Sequence, residues 1–312
     1  MTHEDAGAGR VSVWATGQRQ ARVQRAGRYA RLSFEHPGKM LPAIARHAIT
    51  AYTRPGDVVA DPMCGIGTSL VEAVHLGRDA VGVELEARWA SIARMNLRTA
   101  AEEGATGRAR VHTGDARFLT AGLAEELAGR VGLVLTSPPY GAMTHGQVRT
   151  LRDGGSPGGV DKRCHTYSTT RSRTNLAHQR PEELVDSLRR ILAGCRPLLR
   201  EGGVVAVTAR PYRVRGMLVD FPGQVVAAGE AAGLVLADRC AALLCALRGG
   251  GLVSRGSFFQ VYETRRLRGR GLPVQLISHE DVLVFTDPAH GARGRAARHE
   301  LQGSRSPDRS AA

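Results

Sequence analysis

The sequence predicts an α/β protein with a Rossmann-like, doubly wound sheet that is mostly parallel and carries helices on both faces. Two observations support this prediction. Short apolar runs alternate along the chain with longer segments of helical periodicity, as they do in βαβ units. The 312 residues are 42% hydrophobic, which is enough to bury a substantial core.

The apolar runs predict seven strands. They are Asp57–Ala60, Ala80–Glu84, Ala109–Thr113, Val131–Thr136, Val204–Ala209, Val235–Leu247 and Asp281–Phe285. Glycine-containing turns precede the first and the fifth of these strands. The predicted helices are Ser69–Leu76, Ala87–Ala101, Pro181–Leu199 and Gln224–Ala232. The longest of them carries glutamates early and arginines late, which matches the helix dipole.

We assign these elements to one domain over residues 31–287. Residues 1–30 carry five arginines and few periodic apolar residues, so we expect a flexible basic arm with one short helix around Ala21. Residues 288–312 are rich in Arg, Gly, Ser and Ala and are expected to be a disordered tail. Residues 141–180 and 248–272 interrupt the alternation and are predicted to be irregular insertions.

The net charge of +14 favours a polyanionic partner, although arginine richness can also reflect the base composition of the genome. Of the 43 basic residues only Lys39 and Lys162 are lysines. The distribution is more informative, because each insertion carries a net charge of +5, from seven basic and two acidic residues in one and six arginines and one glutamate in the other. This clustering favours a nucleic-acid groove.

Several classes of protein are excluded by composition. No run of about 18 apolar residues is present, so no membrane span is expected. The polar segment Met1–Arg10 lacks the apolar core of a signal peptide, and we therefore expect a cytoplasmic protein. The five cysteines lack the close spacing of a zinc site, and their odd number argues against a disulfide framework. No metal site is predicted.

A glycine loop at Asp61–Thr68 follows the first predicted strand and precedes a helix. Gly65 and Gly67 permit tight turning and the close approach of a ligand, and the helix start offers free N–H groups. Glu84 ends the second strand, where a carboxylate can accept hydrogen bonds from ribose hydroxyls. Asp115 follows the third strand and could bond an adenine amino group or cap a helix. A nicotinamide enzyme is the alternative, but the third glycine of its fingerprint is absent.

The segment Thr136–Tyr140 reads Thr-Ser-Pro-Pro-Tyr and follows the fourth predicted strand. It therefore faces the same crevice as the glycine loop. Ser137 Oγ and the Pro138 carbonyl could accept both hydrogens of an exocyclic base amine and free its delocalised lone pair for attack. Two prolines, Pro138 and Pro139, hold these acceptors rigidly, and Tyr140 could stack on an extruded base. The alternative is a purely structural role, in which the prolines end the strand at a turn and Tyr140 packs against the rest of the protein.

The basic insertion offers candidates for contacts with the substrate. They are His145, Lys162, Arg163 and Tyr167. His145 could contact the target base or a phosphate, and the aromatic ring of Tyr167 could stack on a base.

At these motifs the chain resembles the amino-methyltransferases that make N4-methylcytosine or N6-methyladenine in DNA. Asp61–Thr68 resembles their cofactor motif, and Ser137–Tyr140 resembles their (Asp/Asn/Ser)-Pro-Pro-(Tyr/Phe/Trp) motif. His36–Pro42 is similar to a His-Pro-x-x-Lys-Pro segment that lines the methionine end of the cofactor in this family. The amino-acid sequence of the glycine loop also resembles that of tRNA guanosine-N2 methyltransferases.

The resemblance implies a Rossmann-like methyltransferase fold with S-adenosylmethionine as cofactor. The residues that would bind it are His36, Lys39, Asp61, Met63, Gly65, Gly67, Thr68, Glu84 and Asp115. The resemblance further implies methyl transfer to an exocyclic amino nitrogen of a nucleic-acid base, in DNA rather than RNA. The alternatives are a tRNA or rRNA base N-methyltransferase and a non-catalytic nucleic-acid-binding protein with the same fold.

Overall fold

The computed structural model describes residues 11–119, 121–140, 149–150, 160–161, 174–256 and 258–289. The helices are α1 Ala21–Arg25, α2 Pro42–Tyr52, α3 Thr68–His75, α4 Ala87–Glu102, α5 Ala121–Leu127, α6 Pro181–Cys195, α7 Phe221–Ala231 and α8 Phe258–Gly269. The strands are β1 Val13–Trp14, β2 Val58–Asp61, β3 Asp79–Glu84, β4 Ala109–Thr113, β5 Val131–Thr136, β6 Arg149–Thr150, β7 Val160–Asp161, β8 Leu199–Ala209, β9 Tyr212–Val214, β10 Met217–Val219, β11 Val235–Leu243, β12 Ala246–Arg248, β13 Gly251–Val253 and β14 His279–Thr286.

Eight strands form the central sheet, in the order β1-β11-β14-β8-β5-β2-β3-β4. Strands β4, β3, β2, β5 and β8 run parallel, while β14 is antiparallel to both of its neighbours, β8 and β11. Each of the seven predicted strands has a counterpart in this sheet, and the predicted Rossmann-like α/β fold is confirmed. The predicted strand Val235–Leu247 is too long, because β11 ends at Leu243 and Ala246 begins the separate strand β12. The additional strand is β1, which pairs parallel with β11.

The order of the strands reverses at β2. From β2 the chain moves outward through β3 to β4, and it then returns to place β5 on the other side of β2. In an open parallel sheet such a reversal leaves a crevice outside the carboxyl ends of the strands. The loops after β2, β3, β4 and β5 all end at this crevice, which therefore brings together the motifs found in the sequence.

The sheet is covered on both faces. Along β5, Leu133 and Leu135 pack in the layer that contains α2 and α3, whereas Val134 packs in the layer that contains α6 and α7. Successive side chains of a strand point to opposite faces, so a strand that is buried on both faces must be apolar throughout. This is why the apolar runs predicted the strands well.

Helices α6 and α7 begin at recognisable caps. Pro181 occupies the first turn of α6, and the Glu183 carboxylate accepts a hydrogen bond from the Arg180 N–H at 3.3 Å. Asp220 caps α7 by accepting the Gly223 N–H at 3.0 Å. Helix α6 ends at Cys195 rather than at the predicted Leu199, because a 3-10 turn over Arg196–Leu198 leads directly into β8.

The prediction of a flexible arm over residues 1–30 is wrong for residues 11–30. Strand β1 extends the sheet, and Trp14 is 2% exposed and stacks on His47 with 4.2 Å between ring centroids. The buried Tyr29 hydroxyl donates to the Glu72 carboxylate at 2.9 Å. The short helix expected around Ala21 is present as α1. Residues 1–10 lie outside the described residues.

The second insertion is more regular than predicted. Residues 246–253 form the hairpin β12–β13, and Phe258–Gly269 forms α8. Helix α5 and the hairpin β9–β10 were also not predicted. Most of the first insertion and the expected tail over residues 290–312 lie outside the described residues.

Candidate active site

Two adjoining cavities lie at the carboxyl ends of the parallel strands. The first, here called the Ser137 cavity, is lined by His36, Lys39, Asp61, Gly65, Thr68 and Ser137, among others. The second, the Glu84 cavity, is lined by Glu84, Leu85, Gly114, Asp115, Pro139 and Asn175, among others. Met63 lines both cavities. The structure thus brings the glycine loop, the two spaced acids and the Ser-Pro-Pro turn to one crevice.

The glycine loop has the backbone conformation that only glycine adopts readily. Gly65 has φ +53° and Gly67 has φ +79°. A Cβ at Gly65 would lie 3.0 Å from His36 Nε2, so a side chain there would fill the narrow space over the loop. A Cβ at Gly67 would instead lie 3.2 Å from the Ala93 Cβ. Gly67 therefore serves the turn and the packing of α3 on α4, and it lines neither cavity.

Asp61 joins the glycine loop to the strand that carries the Ser-Pro-Pro turn. Its buried carboxylate accepts the Met63 N–H at 3.0 Å, the Thr136 hydroxyl at 2.8 Å and the Ser69 hydroxyl. Burial raises the pKa of Asp61 to about 6, against the opposing effect of these hydrogen bonds. Because Thr136 immediately precedes Ser137, the loop and the serine are held by one carboxylate.

Glu84 forms part of the wall of the second cavity. It is 6% exposed, and its two carboxylate oxygens accept the Gly65 N–H at 2.8 Å and the Glu86 N–H at 2.9 Å. Each oxygen can still accept another hydrogen bond. Burial raises the pKa of Glu84 to about 7. The fold thus holds a carboxylate at the edge of the crevice where the sequence placed a ribose acceptor.

Asp115 also lines the Glu84 cavity, but Arg117 engages its carboxylate. The Arg117 Nε donates to both Asp115 oxygens at 3.0 and 3.1 Å, and the Arg117 N–H donates to one of them at 3.0 Å. These bonds outweigh partial burial and hold the pKa of Asp115 below its usual range. The carboxylate remains anionic and is fixed by its own loop.

His36 and Lys39 come from the segment before α2. His36 is 2% exposed and meets the Trp89 ring edge-on at 4.7 Å, and burial lowers its pKa to about 3. The Lys39 ammonium donates to the carbonyls of Phe34 and His36. Burial, followed by the charge of Arg25, lowers the pKa of Lys39 to about 7. Both residues line the Ser137 cavity.

The Ser-Pro-Pro-Tyr turn has a rigid base and a polar tip. Pro138 and Pro139 are buried, whereas Ser137 and Tyr140 are half-buried. The Tyr140 ring meets Phe221 edge-on with 5.0 Å between centroids and lies 6.1 Å from the Tyr212 ring. Burial raises the pKa of the Tyr140 hydroxyl far above its usual value, with a further contribution from the charge of Glu280. Tyr140 thus packs in part against β9 and α7.

Three apolar lining residues were not predicted from the sequence. Leu85, Leu176 and Ile191 supply the apolar wall of the Glu84 cavity. Asn175 donates to Glu86 at 2.8 Å and accepts the Ala177 N–H at 2.9 Å. Leu85 could have been found from its place next to Glu84, but the contribution of the segment before α6 depends on how the chain returns over the crevice.

The predicted substrate contacts His145, Lys162, Arg163 and Tyr167 lie outside the described residues. A larger groove lies between α4 and the edge strand β4, and none of the predicted site residues lines it. Among the described residues, no three His, Cys, Asp or Glu side chains are grouped so as to hold a metal ion. In the same part of the chain, no helix has the length and apolarity needed to cross a membrane.

Comparison with known proteins finds similarity over part of the chain. A family model described as DNA methylase matches residues 3–95. A tRNA (guanine(10)-N2)-dimethyltransferase of Methanocaldococcus jannaschii is 36% identical over 111 residues, which are 35% of this chain and 31% of that enzyme. The type II methyltransferase M2.DpnII of Streptococcus pneumoniae is 36% identical over 63 residues, 20% of this chain and 24% of that protein.

A crystal structure of TrmN from Thermus thermophilus aligns with 85% of this chain and 53% of its own, at 18% identity and a TM-score of 0.47. The chain spans about a third of the length of the curated tRNA methyltransferases that it matches. The resemblance predicted from the motifs is nevertheless confirmed: this chain is similar both to DNA amino-methyltransferases and to tRNA guanine-N2 methyltransferases.

Proposed function

We propose that this chain is an S-adenosylmethionine-dependent methyltransferase that modifies an exocyclic amino nitrogen of a nucleic-acid base. The observation that carries the proposal is that Ser137 lines the same cavity as Gly65 and Asp61. An amine held at Ser137 therefore lies beside the loop that would hold the cofactor. Proximity of this kind can supply most of the acceleration of a direct group transfer.

The crevice fits the proposed cofactor. A Cβ at Gly65 would close the space beneath His36. A Cβ at Gly114 would meet nothing within 4 Å, so the space beside this residue of the Glu84 cavity is open to a ligand. Glu84 offers acceptors for ribose hydroxyls, and the apolar wall formed by Leu85 and Ile191 suits an adenine ring. When bound, the cofactor supplies an electrophilic methyl group on a sulfonium centre.

The charges around the Ser137 cavity suit a cationic ligand. With a pKa of about 7, Lys39 is partly neutral at pH 7, and with a pKa of about 6 Asp61 is mostly anionic. The cavity can therefore present a carboxylate to a positive centre without a full opposing charge from the lysine.

The residues of the turn would hold and activate the amine. Ser137 Oγ and the Pro138 carbonyl accept its two hydrogens and so steer the nitrogen lone pair out of conjugation with the ring. The buried prolines keep these acceptors in place before the substrate arrives. Tyr140, braced by Phe221, offers the rest of its ring to the face of the base.

Within this class we propose a DNA substrate, with N4 of cytosine or N6 of adenine as the acceptor. The match to the DNA methylase family and the serine at position 137 support it. The second candidate is N2 of guanosine in tRNA, which the longer similarity to the archaeal tRNA methyltransferase favours.

Labelled S-adenosylmethionine, presented separately with genomic DNA and with total tRNA, tests both candidates. After digestion to nucleosides, mass spectrometry identifies the methylated base. N4-methylcytosine or N6-methyladenine supports the DNA substrate, and N2-methylguanosine supports the second candidate. A protein that binds the cofactor and labels neither pool would contradict the proposed function.

A further inference from the structure

A short hairpin follows β8 at the carboxyl end of the sheet. It consists of β9 and β10, and two residues separate it from the end of β8 at Ala209. Strand β8 runs parallel to β5, so the hairpin emerges at the same edge as the Ser-Pro-Pro turn. Tyr212 in β9 lies 6.1 Å from the Tyr140 ring. The hairpin therefore lies directly beside the candidate site.

The turn of this hairpin is formed by Arg215 and Gly216. Val214 pairs with Met217, which leaves two residues in the turn, and their φ angles are +52° and +89°. Two-residue turns with positive φ at both positions strongly favour Asn-Gly. Arg215 is the only non-glycine residue with positive φ in the described part of the chain. An arginine held in a disfavoured conformation at an exposed tip suggests a role for its side chain.

The surface of the hairpin combines apolar and positively charged side chains. Met217 is 75% exposed and Leu218 is 56% exposed. Residues 210–219 contain three arginines and no acidic residue. In the ion pairs of the described residues, neither Arg213 nor Arg215 has an acidic partner. Exposed apolar groups flanked by unpaired cations complement a stack of bases flanked by phosphates.

The tip of the hairpin is supported from behind. A Cβ at Gly216 would lie 3.2 Å from Leu267 of α8, and Leu267 is 2% exposed. The same helix carries the exposed residues Arg265 and Arg268. The hairpin is thus packed against a positively charged helix, which would keep it in position when it contacts a ligand.

We propose that the hairpin is a second nucleic-acid contact, in which Arg213 and Arg215 bind phosphates and Met217, on the same hairpin face as Tyr212, presses against the base stack next to the target base. The proposal rests on the proposed function for the identity of that base. Apolar side chains that enter a stack unpair or kink it, which would help to move a base towards Ser137.

The salt dependence of binding tests the arginines. Fluorescence anisotropy with a 30-base-pair DNA duplex and with unfractionated tRNA measures affinity over a range of salt concentrations. On the duplex, the R213Q/R215N double variant should reduce the slope of log K against log salt by about 1.8, because each phosphate contact contributes about 0.9. Arg108→Gln is the control, because Arg108 has a 91% exposed side chain and immediately precedes the edge strand β4, at the amino ends of the parallel strands. This variant should leave the slope unchanged.

Arg215→Asn separates binding from folding. Asparagine followed by Gly216 suits the turn better than arginine does, so the single variant should melt at or above the wild-type temperature while its slope falls by about 0.9. A wild-type slope in both arginine variants would overturn the proposal while leaving methyl transfer unaffected. If the wild-type protein bound neither probe, both the hairpin contact and the proposed function would fail.

The contact of Met217 is tested with a duplex that carries 2-aminopurine, whose fluorescence rises on unstacking. The wild-type protein should raise the signal at least threefold more than the Met217→Thr variant does. Val235→Thr is the matched control, because Val235 is 50% exposed at the amino end of β11 and faces the other end of the sheet. Equal signals from all three proteins would exclude the contact with the base stack.

Discussion

Replacing Glu84 with glutamine tests how the crevice would hold the cofactor. The carboxylate is 6% exposed and accepts the N–H groups of Gly65 and Glu86, so glutamine keeps the volume but removes the charge and one acceptor. The remaining acceptor capacity of the carboxylate is what we expect the ribose hydroxyls to use. Loss of that charged acceptor should therefore weaken cofactor binding, and this should be its main effect.

The magnitude depends on pH. A hydrogen bond to a charged group contributes about 2 kcal/mol, which corresponds to about a 30-fold loss of cofactor affinity in the variant at pH 8. The pKa of Glu84 is about 7, so at pH 6 the wild-type carboxylate is mostly protonated and binds about 10-fold more weakly than at pH 8. The ratio of the variant's dissociation constant to that of the wild type should therefore fall from about 30 at pH 8 to about 3 at pH 6.

The stability of the wild-type protein should fall as pH rises, whereas its affinity for the cofactor should increase. The pKa of Glu84 is raised from 4.5 to about 7, so the folded state binds more protons than the unfolded state between these values. Its contribution favours the folded state below pH 4.5 and is lost as pH rises through 7, a difference of about 3 kcal/mol for about 2.5 pKa units. Glutamine avoids this loss but leaves one N–H without its acceptor, at a cost of about 1–3 kcal/mol. The variant should therefore be within about 2 kcal/mol of wild type at pH 8.

Titration calorimetry with S-adenosylmethionine from pH 6 to 8.5 measures both affinities, and thermal melts over the same range measure stability. Taking the ratio of the two dissociation constants removes the titration of the ligand itself. Glu102→Gln changes an exposed glutamate near the end of α4 and should leave the affinity unchanged. A ratio that stays constant across this pH range would refute the role assigned to the Glu84 carboxylate.

Three further substitutions test other parts of the site and fold. Ser137→Ala should lower kcat at least about 100-fold, the size of the loss when one preorganised catalytic group is removed, with cofactor affinity within a few-fold of wild type; single-turnover transfer and calorimetry measure the two. Thr136→Val removes the 2.8 Å bond to the Asp61 carboxylate and should lower kcat more than cofactor affinity, whereas Thr208→Val, which removes a buried hydroxyl without a partner in the described structure, should change neither. Tyr29→Phe removes the bond to Glu72 and should destabilise the protein by about 1.5–3 kcal/mol in denaturant titrations, whereas a flexible arm would give no change.

The parts of the fold that the sequence predicted are those governed by local pattern. Strands β4 and β5 have the predicted bounds. Strand β5 is easy to recognise, because a strand between two helical layers must be apolar at every position. Strand β8 begins five residues earlier than predicted, since Gly202 and Gly203 lie within it rather than in a turn before it. A Cβ at Gly203 would lie 2.7 Å from the Val131 carbonyl oxygen, so this glycine permits close approach to β5.

The elements missed by the sequence depend on contacts between distant residues. Val13 pairs with Ala241, and no periodicity within residues 11–30 could show that partner. Helix α8 presents only Leu267 as a buried residue among those whose side chains are described, so it lacks the apolar stripe that predicts a helix. The motifs of the candidate site were easier to find, because the ends of parallel strands converge whatever the intervening loops do.

Three ionisable groups of the crevice, Asp61, Glu84 and Lys39, have a common property that supports its assignment. Burial moves the pKa values of Asp61 to about 6 and of Glu84 and Lys39 to about 7, each towards the neutral form. Keeping such groups ionised at pH 7 costs the folded state free energy, and a buried leucine or methionine would avoid that cost. Elsewhere buried acids are paired with arginines, as Glu72 is with Arg28 and Arg46. Asp61 and Glu84 instead accept hydrogen bonds from the glycine loop and its neighbours, which fixes their oxygens at the cavity walls. Carboxylates that cost stability and are held in place without a cation are suited to a ligand that brings its own hydroxyls and positive charge.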